Sequence, residues 1–186
     1  MLGKVFKAYD VRGTYPDPLD EKMAWQIGYG ISKFLLNDAA AAGETVRVQA
    51  GTYAESVVID TRGVQLLGAG AATTVIDGTG LAGASLPLFA GTLRALVAFA
   101  PPDAGGSPYE FQIGGFTITG SERMGLGGNG NGLGQVRVQV LDCVFEGNAQ
   151  DHLFLNDLDA SPGAPSIVRG NIFTGPSGAY LDGSDF

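Results

Sequence analysis

The sequence has little charge, one cysteine and one histidine, and each scarcity excludes a class of function. Its 186 residues include 11 Lys and Arg against 19 Asp and Glu, which gives a formal net charge of −8 at pH 7. The basic residues are scattered singly, so nucleic acid is excluded as a partner, because phosphate binding needs clustered Lys and Arg. Cys143 is the single cysteine and His152 the single histidine. A disulfide within the chain and a structural zinc site are therefore excluded, and we expect no metal centre of this kind.

Long apolar runs are also missing. No stretch approaches the ~20 consecutive apolar residues of a membrane-spanning helix, so we expect no membrane span. The first residues include Lys4, Lys7 and Arg12 and lack the apolar core of a signal peptide. The sequence as written therefore predicts a cytoplasmic location.

Glycine, by contrast, is abundant, with 30 residues spread mainly through the second part of the chain. This content is more than twice the usual share of ~7% and predicts a β architecture with many turns. Short runs rich in Val, Ile and Thr follow residue 43 and are separated by Gly, Asp or Thr. Examples are TVRVQ (45–49), VQLLG (64–68) and GFTITG (115–120).

A repeat runs through this β-rich part. Aligning four apolar residues places a glycine two positions after each of them, and the later steps recur about every 27–28 residues. The aligned pairs are Ile76 with Gly78, Ile118 with Gly120, Phe145 with Gly147, and Phe173 with Gly175. Such a period is typical of a stacked solenoid, in which neighbouring coils bury one continuous core. The first step is longer and predicts an insertion around residues 80–94. A second set of strands is predicted before the repeats, at ALVAF (95–99), QVRVQV (135–140) and SIV (166–168).

Residues 19–42 have the spacing of an amphipathic helix. Leu19, Met23, Ile27 and Ile31 recur every four residues, and Gly43 is a natural C-terminal stop. We expect this helix to cover the N-terminal end of the solenoid. The predicted fold is all-β, a right-handed single-stranded parallel β-helix of about four coils. Segment 1–43, which contains the capping helix, and the β-helix 44–186 are expected to form one structural domain.

The first 36 residues resemble the N-terminus of the phosphohexomutases, the phosphomannomutase and phosphoglucomutase family. The resemblance rests on FKAYDVRG (6–13) and on the helix AWQIGYGISKFL. It implies that Tyr9, Arg12 and Gly13 match positions at the entrance of that family's active site. The family's phosphoserine, metal, sugar and phosphate-binding loops are missing from this sequence. The segment is therefore interpreted as a fragment, and mutase activity is not expected, because phosphoryl transfer depends on a metal and positioned phosphate ligands.

The β-rich part resembles pectate lyase-like β-helices, pectin methylesterases among them. The likeness is strongest over residues 38–78, where GTYAE (51–55) fits a Gly-x-Tyr-x-Glu signature. It implies a carbohydrate-associated protein, usually secreted or at the cell surface. The catalytic motifs of the esterases and of polygalacturonases are not found. We therefore interpret the pentad as a fold marker in which Tyr53 packs and Glu55 caps a turn. A sugar-binding role for these two residues is the alternative.

Candidate chemical residues cluster late in the chain. Asp151, His152 and Asp157 are predicted to lie in the loop after the repeat strand, where His152 could act as a general base beside two carboxylates. Glu146 is predicted to stack between Thr119 and Thr174 and is a further candidate for substrate binding. Solvated loop residues are the alternative interpretation. No cofactor is expected for a binding module, whereas a glycan-cleaving enzyme could hold Ca²⁺ with such carboxylates.

The Gly-rich segment MGLGGNGNGLG (124–134) is predicted to be a loop between coils. It contains no Lys and does not join a strand to a helix, as a phosphate-binding loop would. Asn148 and Asn171 each lie beside a turn glycine. We expect them at coil corners, where their amides bond open backbone groups.

Three functions are compatible with the sequence. We favour a non-catalytic β-helix module, structural or glycan-binding, with a polysaccharide as partner. The first alternative is a divergent polysaccharide lyase or carbohydrate esterase. The second is a mosaic gene product without evolved function, because a mutase-like start lacks a mutase and a secreted-type domain lacks a signal peptide. The last coil (166–186) has no evident cap, which predicts end-to-end self-association or a longer parent solenoid.

Overall fold

The computed structural model describes residues 43, 45–59, 63–88, 91–99, 109–130, 136–159 and 164–184. They belong to the second of the two units into which the chain divides, Ala39–Phe186. The predicted capping helix 19–42 lies outside the described residues. So do the mutase-like positions Tyr9, Arg12 and Gly13.

The described part of the chain is all-β and contains no helix. Among these residues, nothing forms a helix with the length and apolar character that crossing a membrane requires. The strands are β1 (Thr45–Val48), β2 (Gly51–Tyr53), β3 (Val57–Ile59), β4 (Val64–Gly68), β5 (Thr74–Asp77), β6 (Ala84–Leu88), β7 (Gly91–Phe99), β8 (Tyr109–Gly114), β9 (Thr117–Thr119), β10 (Met124–Asn129), β11 (Val136–Leu141), β12 (Val144–Glu146), β13 (Leu153–Asp159), β14 (Ile167–Arg169), β15 (Ile172–Thr174) and β16 (Ala179–Ser184).

The strands form three parallel sheets that the chain visits in turn. The first sheet has the order β1-β4-β8-β11-β14, the second β3-β7-β10-β13-β16 and the third β2-β5-β9-β12-β15. Among the described strands only β6 pairs in the antiparallel sense, with β7. The prediction of an all-β fold with parallel sheets is confirmed, and the strand order is compatible with a parallel β-helix.

The register of the third sheet confirms the repeat found in the sequence. Ile118 pairs with Ile76 on one side and with Phe145 on the other, and Phe145 pairs with Phe173. The three later glycines of the alignment have positive φ angles, 70° at Gly120, 62° at Gly147 and 105° at Gly175. A left-handed backbone suits glycine, which has no Cβ. The repeated glycine therefore marks a repeated sharp corner after β9, β12 and β15, whereas Gly78, which follows β5, does not have a positive φ angle.

A second corner uses the same left-handed backbone with a different residue in one coil. Gly115 and Gly170 have φ angles of 72° and 70°, and Asp142 lies in register between them with φ 53°. Aspartate is among the few other residues that tolerate this conformation. The two-residue corner between the first and third sheets therefore has the same backbone shape in three coils.

The insertion predicted around residues 80–94 corresponds to β6, which folds back on the first half of β7 with Ser85 opposite Arg94. The assignment of ALVAF (95–99) to the same strand set as QVRVQV (135–140) was wrong. Residues 95–99 lie in β7 of the second sheet, whereas β11 pairs with β8 in the first. The hairpin lengthens this coil, so position along the chain no longer indicates position in the coil.

The prediction of a loop at residues 124–134 was wrong for its first half, which forms β10, a fully buried strand in the middle of the second sheet. Two positions of this strand must be glycine because a larger residue would clash with a neighbouring strand. A Cβ on Gly128 would lie 2.3 Å from the Phe99 ring, and one on Gly125 would lie 2.6 Å from the carbonyl oxygen of His152. Glycine here makes room for a neighbouring strand's side chain and backbone.

The interior between the sheets is apolar. Phe99 stacks on Phe111 with 5.1 Å between ring centroids, which joins the second sheet to the first. Phe145 stacks on Phe173 at the same centroid distance, one coil above the other. Such stacked rings add to the area that each coil buries against the next.

Candidate functional site

An open groove of about 530 Å³ lies beside the second sheet. Leu93 of β7 and Met124 of β10 contribute apolar side chains to it. The other described residues that line it come from two loop stretches, 149–151 and 176–178. These stretches connect β12 to β13 and β15 to β16, and they occupy neighbouring coils. The groove is thus assembled from residues that are far apart in sequence.

Backbone hydrogen bonds fix the first loop stretch on the preceding coil. The N–H of Ala149 donates to the carbonyl of Ser121 at 2.8 Å, and the N–H of Gln150 donates to that of Arg123 at 3.0 Å. Gln150 and Asp151 are among the residues that line the groove, the first exposed and the second half-buried. The groove therefore has a fixed wall that carries one amide and one carboxylate.

The second loop stretch is held to the first by two short bonds. Ser177 Oγ donates to the carbonyl of Asn148 at 2.6 Å, and the carbonyl of Gly178 accepts the N–H of His152 at 2.8 Å. Ser177 Oγ keeps acceptor capacity, because a hydroxyl that donates one bond can still accept. Both walls of the groove are therefore anchored to one corner of the solenoid, at Asn148 and His152.

His152 lies inside that corner and is 1% exposed. Its Nε2 is 2.9 Å from the carbonyl oxygen of Thr174, which can only accept, so the ring proton lies on Nε2. Its Nδ1 then accepts from Asn148 Nδ2 at 3.1 Å. Because both nitrogens are engaged, the ring presents no free lone pair to the groove. This arrangement is typical of a structural histidine.

Asn148 connects three parts of the corner. Its Oδ1 accepts the N–H of Ser121 at 3.1 Å, and its Nδ2 donates to the carbonyl of Ile118 at 3.1 Å as well as to His152. Asn171 does the same at another corner, where it bonds the N–H of Cys143 and the carbonyl of Val140. The prediction that both asparagines bond open backbone groups at coil corners is confirmed.

The three predicted loop residues are separated by the fold. Asp151 lines the groove, and His152, its neighbour in sequence, is turned into the core. Asp157 belongs to β13, and its side chain lies outside the described part of the structure. Their suggested catalytic roles stay predictions.

The other candidates lie away from the groove. Tyr53, at the end of β2, donates its hydroxyl to the carbonyl of Gln49 at 2.9 Å. Glu55 follows it and is half-buried, and this burial raises the pKa of its carboxyl. Glu146 is exposed on β12 and pairs with Thr119 and Thr174, so its predicted stacking is confirmed. None of these residues lines the groove.

The single thiol of the chain lies in the core. Cys143 is completely buried, and burial raises its pKa to about 11. Among the residues that the structure describes, no cluster of three or more His, Cys, Asp and Glu could hold a metal ion.

Sequence reasoning found Asp151 but missed Leu93, Met124, Gln150 and Ser177. The one available signal was the repeat itself, because Gln150 and Ser177 both follow a corner glycine, at Gly147 and Gly175. Leu93 belongs to the hairpin that interrupts the repeat, and Met124 opens a segment that had the composition of a loop.

The fold and the groove together describe an all-β protein of parallel sheets with an open groove beside the second sheet. Comparison of the chain with family models, with curated proteins and with solved structures finds no match.

Proposed function

We propose that the protein is a non-catalytic glycan-binding module built on a right-handed parallel β-helix. The strand order supports five coils, since each sheet has five parallel strands that the chain visits in turn, with the antiparallel β6 as an addition to the second sheet. The handedness rests on the general rule that connections between parallel strands of one sheet are right-handed. We therefore propose five coils in place of the about four that the sequence predicts.

The groove carries this proposal. Sugars present apolar ring faces and polar edges, and binding sites for small ligands combine an apolar lining with a few placed polar groups. Here Leu93, Met124 and Pro176 supply the apolar surface. Asp151, Gln150 and Ser177 supply hydrogen-bonding groups at the edge. Both walls are fixed before any ligand arrives, which lowers the entropic cost of binding.

The charge of the groove favours an uncharged glycan. Asp151 is the one charged residue among the described residues that line it, and no Lys or Arg is among them. A polyuronate would bring its carboxylates close to Asp151 on a protein that already carries a net charge of −8. Like charges repel, and no cation among the described residues of the lining offsets this. A neutral polysaccharide fits better than an acidic one.

The same lining argues against catalysis. Glycoside hydrolysis generally uses two carboxyl groups on either side of the scissile bond, and the described lining has one, Asp151. His152 is adjacent in sequence, yet its two ring nitrogens bond Asn148 and Thr174. An acid–base pair would need a free partner within hydrogen-bond reach of the substrate.

Calorimetric titration with a neutral galactan and an acidic polygalacturonate tests the proposal. We expect saturable binding of the neutral polymer, much weaker binding of the acidic one, and no change in the mass of either. Asp151→Ala should weaken binding at least tenfold. Glu122→Ala serves as the matched control, because Glu122 is an exposed carboxylate that does not line the groove.

Each other outcome supports an alternative. Cleavage or de-esterification of a glycan, lost in Asp151→Ala, would support the lyase or esterase. Failure to bind any glycan by a folded chain would support the mosaic product without evolved function.

A further inference from the structure

One side of the groove comes from a hairpin that interrupts the repeat. β6 pairs with the first half of β7 in the antiparallel sense, with Leu86 opposite Leu93. β10 begins at Met124, opposite Ala95, so residues 91–94 of β7 extend past the start of their neighbour in the sheet. Leu93 lies in this extension and lines the groove. The insertion therefore supplies a lining residue that a regular coil would not place there.

Side-chain contacts hold this hairpin in position. Nη1 of Arg94 donates to the carbonyl oxygen of Gly83 at 3.0 Å, just before β6 begins. Leu93 and Ala84, one from each strand of the hairpin, both pack against a buried cluster that includes Met124. Leu93 is thus fixed against the sheet before any ligand arrives, and such preorganisation lowers the entropic cost of binding.

The apolar part of the groove lining is aliphatic. Leu93, Met124, Ala149 and Pro176 contribute it, and none of the described residues that line the groove is aromatic. Met124 is 4% exposed and Leu93 is half-buried, so the surface that these two offer is small. The broad face of an unsubstituted sugar ring suits a flat aromatic side chain. The tips of leucine and methionine side chains pack instead around a smaller group, such as a methyl.

Polar groups lie beside this aliphatic surface. Gln150 is exposed in the lining, and its amide nitrogen can donate two hydrogen bonds. Asp151 contributes a carboxylate, which accepts hydrogen bonds, and Ser177 Oγ accepts as well because its proton is donated to the carbonyl of Asn148. Acceptors suit the hydroxyl groups of a sugar, whereas the amide donor suits a carbonyl oxygen. The lining therefore matches a ligand that has hydroxyls, one carbonyl and a small apolar end.

We propose that the groove selects a neutral glycan that carries an O-acetyl group. The acetyl methyl group packs against Leu93 and Met124, and the Gln150 amide donates to the acetyl carbonyl. A neutral sugar has hydroxyl groups and no carboxyl, so its short esters are acyl groups on those hydroxyls. Acetyl is the shortest acyl group that ends in a methyl. This inference rests on the proposed function, since it names the substituent by which the module recognises its glycan.

Calorimetric titration of the full chain with two forms of one polymer tests the inference without any variant. The neutral galactan is used untreated and after partial chemical O-acetylation. We expect the acetylated form to bind about fourfold more tightly, the factor that burial of one methyl group supplies. Equal or weaker binding of the acetylated form would overturn this inference and leave glycan binding in place. Failure of both forms to bind would overturn the proposed function, and this inference with it.

Substitution in the hairpin tests the role of Leu93. Leu93→Ser should make the two affinities equal, because a serine side chain has no apolar tip to cover the methyl group. Leu67→Ser is the matched control and should keep the ratio, since Leu67 is a half-buried leucine on β4 that does not line the groove. Circular dichroism checks that both variants fold, and the comparison on the unsubstituted chain stands without them. An unchanged ratio in Leu93→Ser, or an equal loss in both variants, would overturn the assignment to the hairpin.

Discussion

Removal of the Asn148 side chain should cost more stability than removal of any exposed side chain near it. Asn148→Ala leaves three groups without this partner, the N–H of Ser121, the carbonyl of Ile118 and Nδ1 of His152. A buried hydrogen bond contributes about 1 kcal/mol, and a buried group left unsatisfied costs roughly 1–3 kcal/mol. We therefore expect a loss of roughly 3–5 kcal/mol in the free energy of unfolding. The free energy of unfolding of a typical domain is about 5–15 kcal/mol.

Urea unfolding followed by circular dichroism measures this loss. With an m value of about 2 kcal/mol per molar urea, the midpoint should fall by roughly 2 M. Gln150→Ala is the matched control, because it removes an exposed amide from the same loop and should change stability by no more than about 0.5 kcal/mol. A loss below about 1 kcal/mol for Asn148→Ala, or one equal to the control, would refute the corner network described here.

Three further substitutions or modifications test other parts of the structure. Gly128→Ala should lower stability by about 1–3 kcal/mol through overpacking against Phe99, measured by thermal unfolding, and an unchanged melting temperature would contradict the assigned strand β10. The pKa of Cys143, raised to about 11, leaves little thiolate at neutral pH, so alkylation should be slow in the folded chain and fast in urea; equal rates would show that the thiol is accessible. Burial raises the pKa of the Glu55 carboxyl, so folding favours its protonated form. The carboxyl therefore lowers the free energy of unfolding as the pH rises above the ordinary pKa of a glutamate. Glu55→Gln should then raise the urea midpoint at neutral pH and have less effect below the ordinary pKa of a glutamate; a lower midpoint at neutral pH would contradict this.

The repeat was predictable because one physical requirement recurs. Each coil needs an inward apolar residue and then a sharp corner, so Ile118, Phe145 and Phe173 stand two positions before glycines with positive φ. The same requirement explains why asparagines at corners could be predicted. Their short amides reach the backbone groups that a turn leaves open.

Position in the coil could not be predicted where the period breaks. The hairpin of β6 and β7 lengthens one coil, so ALVAF (95–99) was assigned to the wrong sheet. The glycines of β10 have the composition of a loop, and only the ring of Phe99, from a neighbouring strand, explains why Gly128 must be small. A hairpin inside one coil decides the first case, and a contact between neighbouring coils decides the second.

Only part of the candidate site could be predicted from the sequence, because the rest depends on contacts between residues that are distant in the chain. Asp151 stood out as a carboxylate after a corner and does line the groove. The sequence placed His152 beside it, but one step along the chain turns a side chain from the outside to the core. The partners that occupy its ring, Asn148 and Thr174, come from four and 22 residues away.

Calorimetry of the full chain with the neutral galactan, combined with mass spectrometry of the sugar after incubation, tests the central claim most directly. A non-catalytic glycan-binding module should bind saturably, lose at least tenfold in affinity in Asp151→Ala, keep it in Glu122→Ala, and leave the sugar mass unchanged. Cleaved sugar, or binding that is indifferent to Asp151, would contradict the claim.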